Sequence, residues 1–337
     1  MVERRGGPEV LQVVREPLRE PARGEVRVRT LAAGVSFADI FMREGFHPEA
    51  LLRSFPFTPG WDVVGRVDAL GAGASGVATG DVVAAMPIVG GYSEFVFLAP
   101  EELVPVPAGV DPVEAACLPL NYVTAYQMLH RAASAQAGEK ALIHSAAGGV
   151  GTALAQLGRL LGLEMYGTAS AAKHPMVSSL GVDPIDYRSA DFVSECLARE
   201  PDGLDVVFDG IGGMHLLRSL RVLHGRGRLV AYGLGSTSVD GRPSPLRMAM
   251  TAVGWLSAFA CNAVPGYKKL TLYSIQMKKR RSPKLFRADL ARLLDLLAAG
   301  SIDPFVEVRL PLHEASRAHE LLASGSTQGK IVLTTMG

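Results

Sequence analysis

The stretch Lys140–Gly162, KALIHSAAGGVGTALAQLGRLLG, constrains this chain more than any other. Lys140 to His144 is a short apolar run suited to a buried strand, and Ser145 to Gly151 is a glycine turn. Val150, Leu154, Leu157 and Leu161 then recur on one face of a helix. Gly162 stands where a helix C-cap glycine belongs. Ala146, Gly148 and Gly151 occupy the three marked positions of a G-x-G-x-x-G turn, with alanine for the first glycine. Gly148 and Gly149 hold no side chain between backbone and ligand, and Gly151 lets helix and strand pack closely. A strand, such a loop and a helix N-terminus with free N–H groups together predict a dinucleotide site. Its backbone contacts are expected from Ala147, Gly148, Gly149 and Val150.

On either side of this unit the texture differs. Residues 1–118 read as short strands broken by glycine and proline, with one helix over about 36–44, which suggests a compact barrel. Val26, Val28 and Thr30 alternate with charged residues; 61–67, 82–86 and 92–98 are further strand runs. From about Pro119, a helix over 122–132 precedes strands at 140–144, 165–168, 204–208 and 227–232. Helices at 150–161, 172–180, 191–199 and 214–223 lie between them. That alternation predicts an α/β fold with a parallel sheet covered on both faces. Residues 236–281 read as irregular, a helix with Leu290, Leu293, Leu294 and Leu297 inward follows Ser282-Pro283, and 330–334 is a last strand. The expected domains are 1–118, 119–265 and 266–337.

Length and composition narrow the function. The 337 residues are enough for two domains, and a net charge of +1 gives no nucleic-acid footprint. Cys117, Cys196 and Cys261 are scattered, as in a reduced cytoplasmic protein. No signal peptide or membrane span is expected.

After the second strand an NAD site normally places an Asp or Glu about 20 residues past the loop. No acid occurs there before Asp183; Ser170 and Lys173 stand there instead, a hydroxyl and an ammonium suited to a 2′-phosphate, so NADP is the expected cofactor. His174 is read as surface. Gly210, Tyr232 and Gly233, just past later strands, are further cofactor candidates because ligands bind beyond the carboxyl ends of parallel strands.

With AAGGVG, the stretches GVSFADIFMREG, FPFTPGWDVVG, LPLNYVTAYQML, GTASAAKH and PIDY make the whole chain resemble a zinc-free medium-chain dehydrogenase/reductase. It is most similar to the quinone oxidoreductase branch and, within that, to the synaptic-vesicle VAT-like proteins. The resemblance implies a GroES-like β-barrel catalytic domain, a doubly wound Rossmann domain, and a C-terminal segment that returns to the first domain. It implies a homodimer joined through the Rossmann sheets. It also places Tyr187 by the phosphate, Thr124 near the nicotinamide and Lys330, in GKIVL, close to the cofactor. Zinc-dependent relatives carry ligands at positions that here match Ser36, Trp61 and roughly Asn121, so no metal is expected. The eight histidines lack ligand spacing.

For the chemistry, Ser36, Asp39, Phe41, His47, Asn121 and Tyr122 are the candidates near the hydride acceptor. Many members of the branch have Asn at the Ser36 position and Tyr at those of Phe41 and His47, and this chain departs at all three. His47 is a candidate proton donor because an imidazole titrates near neutrality; a solvated loop histidine is the alternative. Asp39 either serves the reaction or pairs within its helix. Two functions remain: an NADPH-dependent reductase of a quinone or activated alkene, or a nucleotide-gated binding protein with little catalysis. For the second, Lys278–Arg281 could meet an anionic membrane surface or an acidic carrier, the alternative being a solvated face. Trp255, Phe259, Tyr267 and Tyr273 are read as a lid, a dimer contact or core.

Overall fold

The computed structural model describes residues 1–52, 54–233, 238–239, 242–243, 245–264 and 267–335. The chain forms two compact units, one of 1–123 with 276–337, the other of 124–275. The expected boundary at 265/266 lies outside the described residues.

In the first unit, Val26, Val28 and Thr30 point into the core while Arg27 and Arg29 face outward, the period-two pattern of a half-buried strand. This strand, Val26–Val35, is the spine of a seven-stranded sheet. It pairs antiparallel with Val63–Leu70, Phe95–Leu98 and the C-terminal strand Lys330–Thr334. Ala32 lies opposite Thr334 and Val35 opposite Ile331, so the chain's end closes against its beginning. Val306–Pro311, a strand not foreseen, pairs parallel with Lys330–Thr334. The strands expected from Trp61 and Tyr92 start later, at Val63 and Phe95. The helix expected over 36–44 is Phe37–Glu44, ended by Gly45 in the left-handed conformation (φ 82°).

In the second unit six parallel strands stand in an order that, counted along the unit, is 3-2-1-4-5-6. This is the doubly wound arrangement, with its switch point between Lys140–Ile143 and Leu204–Asp209. Val182–Asp186 is a strand missed in the sequence. The helix expected over 122–132 instead begins at Leu118 and is wound as a π-helix over Leu118–Tyr122 and again over Met128–Ala133.

The expectation of irregular structure over 236–281 is corrected. Residues 236–237, 240–241, 244 and 265–266 lie outside the described residues, but Pro245–Ala260 is a sixteen-residue helix, Lys269–Leu272 a strand and Ile275–Arg281 a helix. The long helix escaped detection because it is inverted: Thr251, Gly254 and Ala258 face inward, whereas Met250, Val253, Leu256 and Phe259 are exposed. A Cβ on Gly254 would lie 2.2 Å from the carbonyl carbon of Gly213, so only glycine allows the helix this close. Among the described residues no helix is long and apolar enough to cross a membrane.

Candidate functional site

In the second unit the glycine loop has the form the sequence predicts. The helix runs Gly149–Leu161, with Leu154 and Leu157 buried and Gly162 in the left-handed conformation at its end. Gly148 is its N-cap and contributes no side-chain cap, and the first-turn N–H groups have no intrahelical partner. A Cβ on Gly151 would lie 2.3 Å from the Ser145 carbonyl oxygen and 2.6 Å from that of Ala146. The helix therefore sits against the loop at a distance that excludes any side chain. Ala147 is buried behind the turn, while Gly149 and Val150 are partly exposed at its mouth.

A second constriction joins two further loops. A Cβ on Gly233 would fall 1.7 Å from the Gly210 carbonyl oxygen, and one on Gly210 would meet the Tyr232 ring at 3.0 Å. Gly212 and Gly213 take positive φ (77° and 63°). The Asp209 carboxylate accepts from the N–H groups of Ile211 and Gly212 at 2.8 and 2.9 Å and so shapes this turn. Thr124 is buried.

Ser170 precedes the short 3-10 helix Ala171–Lys173 and its hydroxyl makes no capping bond. Tyr187 is 53% exposed, with the Arg188 guanidinium 5.9 Å from its ring centroid. His174, read as surface, is half-buried; its ring nitrogen lies 3.3 Å from the Ala169 carbonyl oxygen, where it donates. Asp183 is turned to Arg199 (2.9 Å).

The sequence spacing hid a cluster. His144, Asp209 and His215 place ligand-type atoms within 4.8 Å of one another. The histidines lack ligand spacing along the chain, yet the fold brings this trio together from two strand ends and a helix. Its atoms are engaged, however. His144 Nδ1 lies 3.1 Å from Thr168 Oγ1 and its Nε2 3.1 Å from Ser219 Oγ. Asp209 Oδ2 accepts from Ser219 (2.7 Å) and from His215 Nδ1 (2.9 Å). Burial presses the His144 pKa down to about 3. Burial alone would raise that of Asp209, but the His215 hydrogen bond and its backbone donors hold it below the ordinary carboxylate range. These partners suit a closed polar network better than a metal site. The signal that could have found it was positional: His144 and Asp209 both end apolar strands before glycine turns.

In the first unit the candidate catalytic residues are held by structure. Ser36 is the N-cap of Phe37–Glu44; its hydroxyl donates to Asp39 Oδ2 (2.7 Å), which also accepts the Ser36 N–H (2.9 Å). Asp39 Oδ1 accepts from the Gly60 N–H at 2.9 Å. Asp39 is fully buried, and burial, opposed by Ser36 and Lys330, raises its pKa to about 6. Asp39 thus pairs with its own helix N-cap and, outside the helix, with the Gly60 N–H.

Tyr92 also touches Asp39, and its hydroxyl lies 3.3 Å from His319 Nε2. Arg43, buried and always a donor, binds His319 Nδ1 at 2.9 Å. This fixes His319 as the neutral Nε2–H tautomer, which donates to Tyr92.

Two expectations for His47 are corrected. It is no solvated loop residue, since it packs edge-on against Trp61 with ring centroids 5.2 Å apart. Its pKa does not lie near neutrality, because burial lowers it to about 4. The Glu49 N–H donates to its Nδ1 (3.2 Å) and the Gln276 amide lies 3.0 Å from its Nε2.

Lys330 is 3% exposed; its ammonium donates to Asp62 Oδ2 at 2.7 Å and to Asn121 Oδ1 at 3.4 Å. The other Asp62 oxygen accepts from the Leu120 N–H (2.7 Å). The charge expected beside a cofactor thus neutralises a buried carboxylate that sequence reasoning passed over. Asn121 and Tyr122 lie in the π-helical turn, both buried. Phe41 is partly exposed. As zinc ligands, Ser36, Trp61 and Asn121 fit poorly: a capping hydroxyl, an indole and an amide that accepts from lysine.

Half of the basic run is engaged as well. Lys279 pairs with Glu102 (3.0 Å) and donates to the Met86 carbonyl oxygen, and Arg280 pairs with Glu49 (2.8 Å). Lys278 and Arg281 are exposed.

Residues 180–333 match the family described as zinc-binding dehydrogenase, and residues 22–108 the alcohol dehydrogenase GroES-like domain. The chain is 32% identical over 314 residues to the synaptic vesicle membrane protein VAT-1 homolog of Danio rerio, spanning 93% of this chain and 64% of that protein. It is 31% identical over 332 residues to the Homo sapiens homolog, covering 97% of this chain and 84% of that one. Among solved structures it superposes on Escherichia coli quinone oxidoreductase complexed with NADPH with a TM-score of 0.85 at 29% identity, covering 99% and 98% of the two chains. CurK enoyl reductase superposes with a TM-score of 0.83 at 26% identity, covering 99% and 97%. Matched in this way over nearly its whole length, the chain belongs to the medium-chain dehydrogenase/reductase superfamily, among the relatives of the VAT-1 homologs.

Proposed function

We propose that the chain is a zinc-independent NADPH-dependent oxidoreductase that delivers a hydride to a quinone or an activated alkene such as an enone or enoyl group. The observation that carries this reading is the uncapped helix N-terminus at Gly148, behind a loop where Gly151 leaves no room for a Cβ. That cradle fits a pyrophosphate. Ala147, Gly148, Gly149 and Val150 would hold it, Gly210, Tyr232 and Gly233 would bound it, and Ser170, Lys173 and Tyr187 would take the 2′-phosphate. The bound cofactor supplies the hydride. Two structural neighbours, a quinone oxidoreductase in complex with NADPH and an enoyl reductase, support the substrate class.

Within the first unit, Asp39 fixes Ser36 through the capping box and Lys330 donates to the Asn121 amide oxygen. A quinone needs little acid assistance to accept a hydride, so a site without an imidazolium suits it better than it suits an aldehyde. NADPH oxidation against a panel of quinones and enones tests the reading. Turnover with at least one class is expected, and no turnover across the panel with NADPH bound would refute it.

The engagement of Ser36, Asp39 and His47 also favours the second reading, a nucleotide-gated binding protein, which that same null result would support. We propose in addition a homodimer, supported by Lys269–Leu272 at the edge of the six-stranded sheet with Leu272 half exposed. Sedimentation equilibrium should give twice 35.7 kDa, and the single-chain mass would contradict it.

A further inference from the structure

The glycine loop is entered through a residue in an unfavourable conformation. Ser145 has φ 55°, the left-handed region that costs a non-glycine residue roughly 1–2 kcal/mol. One side chain holds it there from the next strand: Thr168 Oγ1 accepts the Ser145 N–H at 3.2 Å. The Thr168 carbonyl oxygen accepts the Ala146 N–H at 3.0 Å. Thr168 therefore grips two consecutive residues of the loop.

The grip continues inward with a defined direction. Asp209, a carboxylate, only accepts, so Ser219 must donate its proton to it (2.7 Å). The Ser219 oxygen then accepts from His144 Nε2–H (3.1 Å), which leaves His144 Nδ1 to accept the Thr168 hydroxyl proton (3.1 Å). Asp209 accepts the Ile211 and Gly212 N–H groups with its other oxygen. A single chain of bonds thus runs from the Ser145 N–H through Thr168, His144, Ser219 and Asp209 to the turn at Gly212. All of its side chains except that of Ser145 are buried. On that path His144 is uncharged, with its proton on Nε2.

We propose that Thr168, His144 and Ser219 are positioning residues that hold the glycine loop and the Gly210–Gly213 turn in one fixed spacing, and that NADPH affinity depends on this clamp. The proposal rests on the functional reading above for its second clause only. A cradle built of backbone groups has no side-chain reach to compensate a shift, so its preorganisation sets affinity.

The test uses the full chain with Thr168→Val, which keeps the shape, Thr168→Ser, which keeps the hydroxyl, and Ser219→Ala, which breaks the chain away from the loop. Amide exchange of residues 145–151 without ligand reads the clamp itself, and NADPH titration reads its consequence. Thr168→Val should speed exchange of the Ser145 amide and weaken NADPH about tenfold while circular dichroism stays native. Thr168→Ser should remain within about threefold of wild type. Ser219→Ala should weaken NADPH by less than Thr168→Val, and the double variant should fall short of the product of the two. Unchanged exchange in Thr168→Val, or Thr168→Ser behaving like Val, overturns the clamp. Faster exchange with unchanged NADPH affinity overturns its link to the cofactor. A wild type that binds no NADPH, with exchange still accelerated in Thr168→Val, refutes the functional reading and leaves the clamp standing.

Discussion

The glycine loop of the second unit and the polar cluster of the first were both singled out by residue type, and they fared differently. At the loop, the residues that matter are defined by what they lack: a Cβ on Gly151 or Gly233 would collide with backbone. In the first unit, Ser36, Asp39, His47 and Lys330 were chosen for what they carry, and each is engaged in holding its neighbours. A required absence leaves a mark in sequence that few structural roles imitate. A serine or aspartate before a helix has a frequent structural use, the capping box, and here that use is present.

Four substitutions or conditions would break or sharpen this contrast. The largest effect is expected at Lys330. Lys330→Met leaves Asp62 buried without its counter-charge and should cost about 3–5 kcal/mol in urea unfolding. Adding Asp62→Asn should recover much of it, whereas a loss below about 1 kcal/mol would mean the pair is not a structural element. Next, Gly151→Val should weaken NADPH by about a hundredfold or more, because the Ser145 and Ala146 carbonyl oxygens must move. Near-wild-type affinity in a folded variant would show that the close approach is dispensable.

Acid should destabilise both units. Burial lowers the pKa values of His47, His144 and His319 to about 4, 3 and 3, against about 6.5 unfolded. The unfolded chain then binds more protons below pH 6.5, so stability is full above that pH and falls as pH drops towards 4. Asp39, raised to about 6 by burial, opposes this, as do Asp62, Glu44 and Glu114, which burial also raises, whereas the lowered Asp209 acts with the histidines. Thermal melts from pH 8 to 4 should show a falling Tm, and a flat profile would contradict the neutral buried imidazoles. The smallest effect belongs to Ser36→Ala, which should lose about 1 kcal/mol through the cap and change quinone turnover by no more than about threefold. A loss of about a hundredfold in kcat would return Ser36 to the chemistry.

What the sequence made legible follows the same logic. The strand–loop–helix over 140–162 and the alternation behind a parallel sheet were readable because burial imposes periods of 2 and 3.6 on large apolar residues. Pro245–Ala260 was not, since its buried face is Thr251, Gly254 and Ala258 with Trp255 partly buried, while Met250, Val253, Leu256 and Phe259 point out. The Asp62–Lys330 pair joins positions distant in the chain through the return of the last strand, which no local pattern encodes. His144 and Asp209 were visible as residues but not as partners, because their adjacency depends on strand order.

The most direct measurement compares NADPH and NADH binding to the wild type and to Lys173→Ala by fluorescence titration. A charge-assisted bond contributes roughly 1.5–3 kcal/mol, so wild type should prefer NADPH, and Lys173→Ala should weaken NADPH about ten- to a hundredfold while leaving NADH unchanged. Equal affinity of the wild type for the two nucleotides, or an equal loss for both in the variant, would contradict a phosphate site at Ser170, Lys173 and Tyr187.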